Sequence, residues 1–307
     1  MSAVPAIRGR GPWALAFERL RRDRAAVVSA VAILVTVMVA LAAPLAVLLT
    51  GHSPIEQFGE EGLSPSGIPL GPCASFWLGT DGLGRDVLVR LAYGARVSLL
   101  VGVLASALAV VVGAALGILA GWRGGLVDAF LSRLMDAVLS LPFLVLALAL
   151  AAVVGPGIGV SVFVIAFFSW ASVGRVVRAE AMTLREREFV LAARALGASD
   201  ARIMFVEILP VVAGTIIVYA TLLIPSSIAF EATLSFLGLG VPAPTPSWGN
   251  MLAEAVPYLR VAWWLLLFPG AALLALTLAF NLLGDGVRDA LDPRYDQQAG
   301  PRAGGGP

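Results

Sequence analysis

The chain has 307 residues, 59% hydrophobic and only 13% charged, with a formal net charge of +1. A soluble domain is about 45–50% apolar and about 25% charged, so this composition excludes a soluble globule, and its apolarity excludes a disordered chain. All 21 basic residues are Arg, which removes a Walker A or Schiff-base lysine; lone Cys73 and His52 exclude an internal disulfide and Cys- or His-cluster metal sites, and near-neutral charge gives no field for nucleic acid.

In chain order, residues 1–24 come first. Trp13, Phe17 and Leu20 fall at i, i+4 and i+7 with Arg and Glu opposite, which predicts an amphipathic helix in the inner membrane interface. A disordered basic tail is the alternative. Six stretches without Asp, Glu or Arg follow, at 25–50, 97–122, 137–154, 158–174, 208–230 and 261–284. A charge at the centre of a spanning helix costs about 2.5–3.5 kcal/mol, which explains the gaps. Each is near the ~20 residues that cross a bilayer. They are continuously apolar rather than alternating, so helices are expected, not barrel strands.

The expected fold is therefore all-α, with six transmembrane helices. Both termini are expected in the cytoplasm, because 17 of the 21 Arg then lie inside. A cleaved signal peptide competes for residues 1–50, but the 26-residue apolar run exceeds a signal peptide's core.

The first span leads into an outer loop, 51–96. There Asp81, Arg85 and Asp86 either make turn contacts around Gly79, Gly82 and Gly84 or meet an external partner. His52 and Cys73 read as ordinary loop residues. In the second span Ala105, Ala109, Gly113, Gly117 and Gly121 recur every four residues and let another backbone approach closely, within this chain or from another subunit. Pro44, Pro142, Pro225 and Pro269 lie inside spans and can kink them. GPGIG at 155–159 is a tight outer turn.

Between the fourth and fifth spans lies a long charged loop, 175–210. It is helix-prone up to Leu196; Gly197 can end or kink that helix, and Ser199 can cap a second short one with Asp200 in its first turn. It reads as a knob for a soluble partner, or as a solvated connector. Beyond it, Ser226 and Ser227 follow Pro225 and either line a pathway or bond back to their own helix. Glu231 lies 21 residues from Pro210, about 31 Å along a helix. It is expected at the outer interface, as a helix-end carboxylate or an outer gate. Asn281 and Asp285 read as packing and cytoplasmic-end groups.

Ala192-Ala193, three residues, Gly197 and twelve residues to Pro210 closely resemble the EAA loop of ABC importer permeases. Leu191 stands at the Glu position and Glu207 at the Ile position of that pattern; Leu209 and Pro210 match. LGTDGLGRDVLVRLAYGARVSLLVG (78–102), EATLSFLGLGVPAPTPSWGNMLAEA (231–255) and WWLLLFPGAALLALTLAFNLLGDGVRDALDPR (263–294) resemble the C-type permeases of dipeptide, oligopeptide and nickel importers.

The resemblance implies a type I ABC importer permease fold, with a five-helix core at 97–294; the tail at 295–307, ending AGPRAGGGP, reads as disordered from its composition. It implies a homologous B-type permease as partner, two ATPase subunits beneath, an extracytoplasmic binding protein above, and a bacterial or archaeal cytoplasmic membrane around. The chain itself then binds no cofactor and catalyses nothing; ATP and Mg belong to the ATPases. Coupling is expected from Ala192, Ala193, Gly197, Ala198, Asp200, Arg202, Ile203, Phe205 and Pro210. The pathway or gate is expected from Pro225, Ser226, Ser227 and Glu231. A secondary transporter and a membrane-embedded enzyme are the competing functions. No acid lies in the six runs to couple an ion, and the spans offer few groups for catalysis.

Overall fold

The computed structural model describes residues 12–291, with side chains from Ala14 onward. The side chain of Trp13 and the expected tail at 295–307 lie outside the described residues. Within them the chain is helical, with two isolated β-bridges, Leu63 to Pro69 and Thr80 to Asp86. Five helices are long and apolar enough to cross a membrane, and a bent pair makes a sixth crossing if it counts as one span.

Helix α1 (Pro12–Arg22) is the expected amphipathic segment. Asp23 separates it from α2 (Arg24–Leu41) by accepting the Ala25 N–H at 2.9 Å. Arg19 donates to the Ala290 carbonyl at 3.4 Å, pinning α1 to a residue 271 positions further along the chain. The first apolar run is not one helix. It breaks at Ala42 and restarts as α3 (Ala43–Thr50), with Pro44 in the first turn, where its missing N–H costs nothing.

After the short α4 (Gly59–Gly62) and an irregular loop comes α5 (Val87–Arg123), an unbroken helix of 37 residues. It starts ten residues before the expected span, because Asp86 caps it through the N–H groups of Leu88 and Val89.

The third expected span, 137–154, is corrected by the structure. It divides into α6 (Gly125–Ser140) and α7 (Phe143–Val154), bent by 87°. Pro142 forces this: the residue before a proline is driven out of the helical region, and Leu141 sits at φ −77°, ψ 134°. Helix α8 (Ile158–Arg185) continues past the expected end of the fourth span. The connecting loop therefore begins as an extension of that span.

Helix α5 packs most extensively on α8. A Cβ at Gly113 would lie 2.5 Å from the Trp170 carbonyl oxygen, and one at Gly117 would lie 2.6 Å from that of Gly174. The small-residue stripe is thus used inside this chain.

Helices α9 (Glu188–Ala195) and α10 (Asp200–Arg202) follow. The second is not a separate short helix. It runs through a π-helical turn, Ile203–Ile208, into α11 (Leu209–Phe236) as one continuous element. Pro210 cannot donate to the carbonyl four residues back, and the wider turn lies just before it, with Leu209 N–H bonding to Met204 instead. A short α12 (Trp248–Ala255) and the long α13 (Trp264–Leu291) complete the described residues. Pro225 and Pro269 lie inside α11 and α13. Asn281 and Asp285 are exposed on α13.

Candidate coupling surface and translocation elements

The loop between α8 and α11 is built by local rules. Val190 is buried and anchors α9 inward, while Ala193 and Ala198 pack partly against the same apolar cluster. Gly197 has φ +82°, the left-handed conformation that favours glycine. The Gly197 N–H bonds to the Arg194 carbonyl at 3.0 Å, and the Ala198 N–H to the Ala193 carbonyl at 3.1 Å. That pair of bonds is a complete Schellman ending. Ser199 then accepts the Arg202 N–H at 3.3 Å and starts the next turn.

Two contacts hold this turn against the end of α5. The Arg194 guanidinium lies over the Trp122 ring, 5.2 Å from its centroid. The Asp200 carboxylate lies 3.3 Å from Arg123 Nε.

Ala192, Arg202 and Pro210 are exposed, and Phe205 is 67% exposed. Ile203 is a correction: it is fully buried in the chain's own core with Val190 and Val212, so it has no surface for apolar contact with a partner. Leu196, which the sequence reading did not single out, is 89% exposed beside Gly197.

The expected pathway residues divide. Pro225 and Ser227 are buried, and Ser226 is exposed on α11. Ser227 does not bond back to its own helix. It meets Ser106 of α5, oxygen to oxygen, at 2.9 Å. Glu231 lies inside α11, with five residues of helix after it, and is fully buried rather than open at the helix end. Ser98 donates to one of its carboxylate oxygens at 2.8 Å and Ser235 to the other at 2.7 Å. A groove of about 650 Å³ opens along α11, lined by residues that include Thr215, Tyr219, Glu180 and Arg288.

The 51–96 segment uses its charges structurally. Asp81 accepts Arg85 Nε at 2.6 Å and lies 3.2 Å from Arg90 Nε. Arg85 and Arg90 both donate to Glu254 of α12, at 2.6 and 2.9 Å. His52 is no ordinary loop residue. Its Nδ1 lies 2.7 Å from the Asp86 carboxylate, and its ring stacks on Phe76. Cys73 is exposed.

Against this geometry, comparison with known proteins is specific. A family model described as "Binding-protein-dependent transport system inner membrane component" matches residues 113–297. A second, "N-terminal TM domain of oligopeptide transport permease C", matches residues 11–60. The dipeptide transport system permease protein DppC of Escherichia coli is 45% identical over 277 residues, covering 90% of this chain and 91% of that one. The protein of the same name from Alkalihalophilus pseudofirmus is 41% identical over 283 residues, covering 92% and 90%. The di/tripeptide transport system permease protein DppC of Pseudomonas aeruginosa is 42% identical over 248 residues, covering 81% and 82%. In fold, the chain matches one from the inward-facing MetNI methionine ABC transporter at TM-score 0.54 and 18% identity, covering 66% of this chain and 96% of that one. The chain belongs to the inner-membrane permease family of binding-protein-dependent transport systems.

Proposed function

We propose that this chain is the C-type permease of a peptide importer and forms one half of its translocation pathway. The observation that carries the reading is identity of 41–45% to dipeptide permeases along about nine-tenths of their length. The other half is a homologous B-type permease. The apolar, largely uncovered face of α11, including Ile217 and Tyr219, is a suitable surface for it.

Two ATPase subunits bind beneath, and one of them takes the 188–205 loop. That loop offers Leu196 and Phe205 as exposed apolar groups and Ala192, Gly197 and Arg202 beside them. An extracytoplasmic binding protein delivers the solute. ATP and Mg are held by the ATPases, and this chain supplies no cofactor site. Arginine placement supports cytoplasmic termini in the inner membrane of a bacterium or archaeon.

ATP binding closes the ATPases and moves the paired loops together, which opens the permeases outward; hydrolysis resets them. The test is reconstitution of the four partners with this chain in proteoliposomes, with ATP inside the ATPase-facing compartment. Vanadate-sensitive uptake of a labelled dipeptide is expected. Uptake by this chain alone, driven by an ion gradient, would assign it to secondary transport instead.

A further inference from the structure

We propose that Trp122 and Arg123, the last two residues of α5, are positioning residues that clamp the coupling loop and carry its movement into the outer half of the protein. This deepens the importer reading and rests on it. The two contacts straddle the Gly197 turn. Arg194, three residues before the glycine, lies over Trp122 at 5.2 Å, and Asp200, three residues after it, lies 3.3 Å from Arg123. The left-handed turn is therefore gripped from both sides by consecutive residues of one helix.

The platform is firm where it must be. Trp122 is buried and belongs to the same apolar cluster as Val177, Ala181 and Ile203. Arg123 and Asp200 are each about half exposed. An ion pair that open to solvent contributes little to folding, so its effect is to set direction rather than to hold the fold together. The end of α8 converges on the same point: a Cβ at Gly124 would meet the Arg185 guanidinium at 2.7 Å.

The other end of α5 is equally tied. Asp86 caps it, and Arg90, in its first turns, is buried and paired with Asp81 and Glu254. Between those anchors the 37 residues contain no proline and no break, about 55 Å of helix at 1.5 Å per residue. Neighbouring α11, by contrast, is entered through the Ile203–Ile208 π turn and contains Pro225. Helix α5 is thus the stiff element that connects the coupling loop to the outer ion network.

The experiment uses the complete reconstituted transporter with Arg123→Asp, Asp200→Arg, the two together, Trp122→Phe and Trp122→Leu. It reads complex recovery, hydrolysis stimulated by loaded binding protein, and uptake. The two single charge variants are expected to assemble normally, lose binding-protein stimulation, and transport about tenfold more slowly. The charge swap should restore most of both activities, and Trp122→Phe should retain them. Trp122→Leu should lower the maximal rate with an unchanged KM. Wild-type rates in the single variants, a swap no better than either single variant, or loss of assembly would each overturn the clamp. The stimulation is scored with whichever solute the wild-type complex moves, so a complex that moved no peptide would count against the peptide reading and not against the clamp.

Discussion

Ser98 donates a hydrogen bond to Glu231 at 2.8 Å, joining α5 to α11 where both side chains are fully buried. The bond is half of a symmetric relay. Ser98 also accepts the Trp248 N–H at 3.4 Å, while Ser235 donates to the other Glu231 oxygen and accepts the Val241 N–H at 3.0 Å. One carboxylate therefore holds, through two serines, the residues on either side of the 242–247 segment. Glu231→Ala removes both acceptors and leaves two buried hydroxyls and a cavity, at a cost of about 2–5 kcal/mol. The expected result is a lower unfolding midpoint in detergent, with Glu231→Gln intermediate because it retains one acceptor. An unchanged midpoint for the alanine variant would refute the relay.

Asp81 balances two buried guanidiniums, those of Arg85 and Arg90, while Glu254 meets the same pair from the more exposed side. Breaking a buried ion pair by removing one partner costs about 3–5 kcal/mol, because the other charge stays desolvated. Asp81→Ala should therefore loosen the 51–86 loop. Limited proteolysis from the outer side would show new cleavage there before the helical core unfolds. Glu254→Ala should have the smaller effect, since Glu254 is about one-third exposed and water can take its place.

How much of this was readable beforehand follows the range of the interaction. Spans announced themselves through missing charges, a cost each residue incurs alone. The Gly197 turn was readable because a Schellman ending is decided within six residues. The bend at Leu141 was half legible: Pro142 marked a kink within the apolar run, but not that the helix would divide there by 87°. Glu231 and His52 were misjudged for another reason. Their partners, Ser98 and Asp86, lie 133 and 34 residues away, so only the fold brings them together. Ile203 looked like a surface residue because the loop around it is polar, yet the chain continues straight into α11 and turns that side inward.

Close packing of α5 on α8 makes opposite predictions for two glycines. Replacing a helical glycine by alanine gains about 1 kcal/mol in helix propensity. At Gly117 the new methyl would meet backbone, the Gly174 oxygen, at 2.6 Å, and overpacking of that kind costs about 1–3 kcal/mol. Gly214 of α11 has nothing within 4 Å of the same position. Gly117→Ala should lower the unfolding midpoint of the isolated chain in detergent, and Gly214→Ala should leave it unchanged or raise it.

Gly197 combines a left-handed backbone, φ +82°, with open space: a Cβ there would meet nothing within 4 Å. Substitution therefore strains the backbone without a collision, and the penalty depends on how readily the new residue tolerates positive φ rather than on its bulk. Asn visits that region through local hydrogen bonding, whereas a β-branched residue there is a severe outlier. Gly197→Asn is expected to retain most uptake. Gly197→Val, of similar size, should unwind the Schellman ending, release the Ala193 and Arg194 carbonyls, and shift Asp200 away from Arg123. Its ATPase assembly and its uptake should be measured separately in the reconstituted complex, and both are expected to fall. Equal loss in the Asn and Val variants would mean that the site is limited by space around a bound partner, and the conformational account would then be wrong.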